Sequence, residues 1–385
     1  VFAIVNTPRN YPWGSTSEIA RVRKVVPSGE PEAELWLGDH PGSPARVEAT
    51  GESLIDWGER HSDRYGGRPL PFLLKLLAAA SPLSIQAHPT REQARAGWDR
   101  ENSAGIELDS PQRNYRDRNH KPEVIIALTE FAALCGFRPT TERTRILDFL
   151  HTSGVDGTET FRQHSDRGLG AAVEWLLGRG AGVDEFLTAL TEVSTHSGEP
   201  DIDDAVQVAQ SLSAQFPRDP GAAVSLLLNH IVLQPGEALF LPAGNIHAYL
   251  HGTGIEVMAA SDNVLRGGLT TKNIDVTELV AVLDVDELDE PRLQPRVSGS
   301  VRTFDPGLDD FVVTDIAVNG WVEVSIAGPG VALVTDGELM VTADTELRAI
   351  QGDALFVEAG ETITAVAGNG RIFLAHSPAP SSRHR

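Results

Sequence analysis

Apolar positions recur along this chain at two spacings, and the spacing changes twice. Residues 71–77 form a short apolar run, as a strand buried on both faces would. Leu83–His88 alternates: Leu83, Ile85 and Ala87 share one face, and Ser84, Gln86 and His88 share the other. A third strand is predicted over Glu123–Leu128. Pro8, Pro12, Gly14, Pro31, Gly38, Pro41 and Pro44 cut the early chain into short strands and turns, with a helix or two. After Pro139 the period becomes helical, and Phe186, Leu187, Leu190 and Val193 fall at i, i+1, i+4 and i+7. Asp203 is a suitable N-cap for a helix whose apolar side continues through Leu212 and Phe216. Residues 165–182 are glycine-rich and read as a gap between helical pieces. Beyond 227 strands return, at 232–233, 238–241, 255–258, 311–314, 322–326, 331–334, 340–342 and 354–357.

An internal repeat organises that last part. Residues 236–244 and 352–360 are identical at six of nine positions, at an offset of 116. Each copy reads as a turn, a strand and an Ala-Gly turn, one corner of a small antiparallel barrel, so two barrels are expected. The copies differ at one telling place, where His247 of the first corresponds to Ile363 of the second. The expected plan is mainly β with a helical insertion. Residues 1–138 and 227–305 form a first barrel that carries chemistry, 139–226 an all-helical insertion, and 306–378 a second barrel without metal. The polar, proline-rich residues 379–385 are expected to be disordered.

Composition narrows the function classes. A length of 385 residues suits two or three domains. With 32 basic and 54 acidic residues the formal charge is −22, which disfavours a nucleic-acid partner and obliges any anionic substrate to find a local basic pocket. The lone Cys135 excludes an internal disulfide, a zinc ribbon and a CxxC redox site, and reads as core packing. No apolar run approaches the roughly 18 residues of a membrane span. The first residues lack the flanks of a signal peptide. A cytoplasmic protein without a membrane partner is expected, and a monomer is compatible with this composition.

The polar face of an otherwise apolar strand must meet water, a partner or a metal. Lys121 precedes a proline and is biased to extended backbone, so Lys121 and Glu123 can share a face. His247 and Tyr249 can share one side of a strand start. If the three strands line one barrel, then Gln86, His88, Glu123 and His247 converge. Two imidazoles, a carboxylate and an amide oxygen, with room for water, suit one Zn²⁺ per chain, and also Mn²⁺, Co²⁺ or Ni²⁺.

These segments also carry a family resemblance. Residues 71–75 with 83–89, 119–123 with 131–139, 241–249 and 256–269 are similar to motifs of the type I phosphomannose isomerases, as are 11–15 and 33–38. The resemblance covers residues 5–280 and implies two cupin (jelly-roll) barrels with an added helical domain. It implies interconversion of mannose 6-phosphate and fructose 6-phosphate with one zinc, held by Gln86, His88, Glu123 and His247. It also places the family's active-site arginine on Arg266. Thr90 and Thr271 depart from the family's motifs without touching a ligand position. An aldose–ketose isomerase moves a proton between C1 and C2 through an enediol, whose oxygens need cationic support. His120, Glu256 and Asp262 are the candidate bases. Lys121 is a candidate for holding substrate oxygens or the phosphate, Lys272 for the phosphate, and Ser84 for binding the substrate. A cupin oxygenase fits less well, since such enzymes usually use a histidine-rich iron site. A non-catalytic sugar-binding protein would be expected to show a degraded site. A bifunctional sugar-nucleotide enzyme would need a glycine-rich nucleotide loop, and no GxGxxG or GxxxxGK[ST] run occurs.

Overall fold

The computed structural model describes residues 1–288 and 290–378, so the expected tail at 379–385 lies outside the described residues. Its strands fall into two nine-stranded sheets. The axis of the first is the strand His247–Ala259, whose early half pairs with Gln86–Ala87 and Phe131–Phe137, and whose later half pairs with Phe72–Ala79 and Glu123–Ala127. Its register shifts between Tyr249 and His251, which marks a β-bulge.

Leu83–His88 was expected as one strand, but only Gln86–Ala87 pairs regularly. The flanking backbone stays bonded to two different neighbours, Leu83 N–H to the Tyr249 carbonyl and Ile85 N–H to the Gly268 carbonyl. The repeat keeps its shape: Ala238–Leu241 and Ala354–Val357 are both strands, entered at Gly236 and Gly352 and left at Gly244 and Gly360, all four at positive φ.

In the second sheet, Thr362–His376 is the central strand, paired with Val312–Ala327 on one side and Gly330–Thr342 on the other. The separate strands expected at 311–314 and 322–326 are one strand, as are those at 331–334 and 340–342. The expected breaks fall at Gly320 and Gly337, which carry the strands through at φ 97° and 75°. A Cβ on Gly337 would lie 1.9 Å from the Asn369 carbonyl oxygen, so glycine is required there by close approach as well as by φ. The assignment of 1–138 and 227–305 wholly to the first barrel needs correction. Phe2–Val5 and Arg46–Val47 join the second sheet, as do Arg296–Ser298 and Val301–Phe304. Short edge strands carry too little periodic signal to say which sheet they will extend.

Helices Thr140–Thr152, Thr158–Asp166, Leu169–Leu177, Val183–Leu190, Pro200–Gln215 and Gly221–Val224 follow one another with no strand between. Leu169–Leu177 occupies the stretch expected as a gap. The Pro200–Gln215 helix is capped by Glu199, not Asp203, because Pro200 at the first helical position supplies the helical φ. Asp203 instead accepts from the Ser197 backbone N–H. Among the described residues no helix is long and apolar enough to cross a membrane.

Buried apolar clusters hold these parts together. Leu74, Leu76, Val124, Ile126, Ile255 and Val257 of the first sheet pack against Val313, Val331, Leu333, Phe356 and Phe373 of the second. Ile85, Ala87, Ile246, Ala248 and Leu265 pack against helical residues including Phe161, Val173, Phe186 and Val206. Cys135 is buried in a third cluster inside the first sheet. Phe356 is fully buried and stacks on Tyr65 at 5.4 Å. Phe356→Ala is expected to destabilise the chain by about 3–5 kcal/mol through cavity formation, read as a lower guanidinium midpoint.

Candidate active site

His88, Glu123 and His247 offer donor atoms that all lie within 4.8 Å of one another. Each residue is only 1% exposed. Glu123 bridges the imidazoles, with Oε1 3.5 Å from His88 Nε2 and Oε2 3.4 Å from His247 Nε2. His88 donates its Nδ1–H to the Asn263 carbonyl at 2.7 Å, and His247 donates to the Asn245 carbonyl at 3.1 Å. These bonds set the tautomer, so both Nε2 lone pairs face Glu123. Both Nε2 atoms and Glu123 Oε2 are buried without a hydrogen-bond partner among the described residues. Three converging, unsatisfied acceptors are costly unless a cation satisfies them together, so this donor set fits a metal ion.

Gln86 adjoins this set through sheet register. It lies directly opposite His247 on one side and Arg266 on the other. Opposed residues in an antiparallel pair project to the same face, so His247, Gln86 and Arg266 form one row.

Gln86 and Glu123 line a cavity of about 530 Å³ shared with Ser84, Lys121, Tyr249, Glu256, Arg266 and Lys272. Lys121 is buried, with Nζ 2.8 Å from Glu123 Oε1. Burial pushes the Glu123 carboxyl up, but the Lys121 ammonium beside it holds it well below the usual carboxylate range. Glu256 is buried, with Oε2 2.8 Å from Lys75 Nζ. Lys75 also reaches Glu34, at 3.3 Å. Burial, with Glu123 and Glu34 adding to it and Lys75 opposing, raises the Glu256 carboxyl above its ordinary value. The Tyr249 hydroxyl is buried and has no hydrogen-bond partner among the described residues.

Arg266, Lys272 and Arg116 form a cationic group. Burial lowers the Arg266 guanidinium, and Arg116 lowers it further. Burial, Arg266 and Arg116 lower the Lys272 ammonium. None of the three has a carboxylate in ion-pair distance among the described residues, so their mutual repulsion is uncompensated.

Two of the expected bases sit elsewhere. His120 is not among the residues lining this cavity, and its Nε2 is 2.8 Å from Asp310 Oδ2 and 2.8 Å from Arg91 Nη2. Asp262 is also off the cavity wall, with Oδ1 3.4 Å from His40 Nε2. A larger cavity of about 610 Å³ lies in the second sheet beside Thr314 and His376. It includes none of the clustered metal donors. Sequence reasoning missed Lys75, Glu34 and Arg116. Lys75 had a usable signal, since a charged residue within an otherwise apolar buried strand must find partners. Arg116 had none, because only the fold brings its loop to Arg266.

A buried histidine–carboxylate set opening on a polar cavity belongs to the class of mononuclear metal sites built to admit a small molecule, rather than to closed structural sites. Comparison with known proteins agrees with that class and narrows it. Residues 1–140 match the type I phosphomannose isomerase catalytic domain. The mannose-6-phosphate isomerase of Escherichia coli is 35% identical over 389 residues, covering 96% of this chain and 97% of its own. That of Rattus norvegicus is 33% identical over 411 residues, covering 94% of each. A crystal structure of the Salmonella typhimurium enzyme bound to its substrate, fructose 6-phosphate, and to zinc aligns with a TM-score of 0.86 at 34% identity, over 98% of this chain and 99% of that one. The chain belongs to the mannose-6-phosphate isomerase family.

The donor set also makes a pH prediction. Burial, with Lys121 adding to it, pushes His88 down to about 4 from an ordinary 6.5. Between those values the unfolded chain holds the proton and the folded chain does not. Stability of the metal-free protein is therefore expected to fall as the pH drops from about 6.5 towards about 4. His88→Asn should flatten that part of the profile, measured as the denaturant midpoint against pH.

Proposed function

We propose that this chain is a metal-dependent aldose–ketose isomerase that interconverts D-mannose 6-phosphate and D-fructose 6-phosphate through an enediolate. The observation that carries the reading is one cavity bordered by Glu123 of the buried metal-donor set and by the cations Arg266 and Lys272. In this reading the fold is two cupin barrels with the helices of 139–226 inserted into the first. The second barrel, 306–378, is extended by the short strands before 305 and at the N-terminus. A reducing, cytoplasmic setting is consistent with one buried, unpaired cysteine.

Gln86, His88, Glu123 and His247 hold the metal, and zinc, the ion held by the Salmonella relative, suits that mixed donor set. Bound there, zinc supplies Lewis-acid polarisation of the sugar oxygens. Lys121, beside Glu123, donates to the substrate's oxygens near the metal. Ser84 and the Tyr249 hydroxyl provide further hydrogen bonds from the wall.

Glu256 is the base of this reading, because it is the expected base whose carboxylate faces the cavity. Its raised pKa strengthens it as a proton acceptor. It takes the proton from C2 of the aldose and returns it to C1, while the hydroxyl proton passes from O2 to O1. Negative charge grows on those oxygens in the enediolate. Arg266, in the same row as Gln86, stabilises that charge without changing its own protonation. Lys272, with Arg116, takes the phosphate. His120 and Asp262 brace the wall through Asp310 and His40.

Conversion of mannose 6-phosphate to fructose 6-phosphate should vanish on chelation and return with added zinc. Retention of activity after the metal is stripped would sink the reading. Glu256→Gln should lower kcat by about 10²–10⁴-fold with zinc content unchanged. A variant with normal kcat would move the base role to another residue.

A further inference from the structure

The loop 267–272 follows directly on Arg266 and ends at Lys272, and it is tied down from two sides. One side is tied to the first sheet, where Gly267 N–H donates to the Ile85 carbonyl at 2.7 Å. The other side is tied to the helical region by a single carboxylate. Asp219 Oδ1 accepts from Leu269 N–H at 2.9 Å, and Oδ2 accepts from Thr270 N–H at 3.1 Å. Oδ1 also accepts from Gly221 N–H at 2.7 Å, which fixes the carboxylate in place. Thr270 Oγ1 then accepts from Lys272 N–H at 3.1 Å, so the chain of bonds from Asp219 ends at a cation of the cavity.

Two backbone features show that this contact is tight. Leu269 is a non-glycine residue at φ 54°, a conformation that persists only when its surroundings impose it. Gly268 sits against Gly221 so closely that a Cβ on Gly268 would lie 2.5 Å from the Gly221 Cα. Phe216, three residues before Asp219, itself borders the cavity.

We infer that Asp219 is a positioning residue that locks the loop 267–272 against the helical region, so that Lys272 meets the substrate's phosphate in a fixed geometry. The helical insertion then acts as the abutment of the phosphate site. The inference rests on the proposed isomerase reading, and on Lys272 as a phosphate contact in particular. Its mark is a loss of phosphate recognition with the proton-transfer machinery intact.

The experiment compares Asp219→Ala, Asp219→Asn and Lys272→Ala in the zinc-loaded full chain. It reads kcat, KM for mannose 6-phosphate, inhibition by inorganic phosphate, zinc content and thermal midpoint. Asp219→Ala should raise KM and weaken phosphate inhibition, each by about tenfold, while kcat stays within about twofold. Asp219→Asn keeps one acceptor oxygen for Leu269 and Gly221 and loses the bond to Thr270, so it should fall between. If Asp219→Ala lowers the thermal midpoint sharply, the Asn variant decides. Wild-type KM and phosphate inhibition in that variant, or loss of zinc and kcat in step with KM, overturn the inference. Lys272→Ala separates the two levels. If it weakens phosphate inhibition and the Asp219 variants do not, the inference about Asp219 fails and the phosphate reading stands. If Lys272→Ala leaves phosphate inhibition unchanged, the phosphate reading itself fails.

Discussion

Along the strand His247–Ala259, the side chains that face the cavity are odd-numbered before Leu250 and even-numbered after it. Tyr249 borders the cavity and His247 points at Glu123, while Ile246, Ala248 and Leu250 pack on the helices. Further on, Glu256 looks inward and Ile255 and Val257 pack on the second sheet. A strict two-residue repeat cannot do this, and the bulge between Tyr249 and His251 supplies the missing step. Gly252, at φ 124°, continues the bend, and a Cβ there would lie 2.6 Å from the Glu130 carbonyl oxygen. His247, which meets the cavity-lining Glu123, and the base of the proposed mechanism serve one site because a single strand changes parity between them.

The charges gathered in that cavity are arranged so that few stay unpaired by accident. Lys75 sits between Glu34 and Glu256, and Trp36 Nε1–H donates to Glu34 at 2.9 Å. Lys121 neutralises one oxygen of Glu123 and leaves the other bare. What remains unsatisfied is therefore informative: imidazole and carboxylate acceptors where a cation fits, and a group of cations where an anion fits. In a chain of net charge −22, the second group gives an anionic sugar a local well against the overall field.

Local pattern disclosed much of this, and where it failed the reasons are physical. The strands at 238–241 and 354–357 were readable to the residue, because each is bounded by turn glycines. The strand Thr362–His376 was not foreseen, since Gly368 and Gly370 interrupt its apolar alternation while the backbone pairs on through them. The helix Leu169–Leu177 was hidden by the glycines around it. In the site, the clustered His88, Glu123 and His247 could be named because donor chemistry on one face of a strand is a short-range signal. The separation of Glu256 from His120 and Asp262 could not be read, because it depends on what each side chain meets across the fold. Asp310, which holds His120, lies 190 residues away in sequence.

By itself, the sequence determined the kinds of group available, the faces they share within a strand, the helical block and the repeated turn–strand–turn. All of these follow from periodicity and turn chemistry within about ten neighbouring residues. Tertiary structure decided which faces meet. It set the Asn263 carbonyl on His88 across 175 residues, placed Arg266 beside Gln86, and fastened the cationic loop to Asp219. Those contacts rest on strand register, a bulge and backbone hydrogen bonds between distant segments, none of which leaves a periodic trace in the chain.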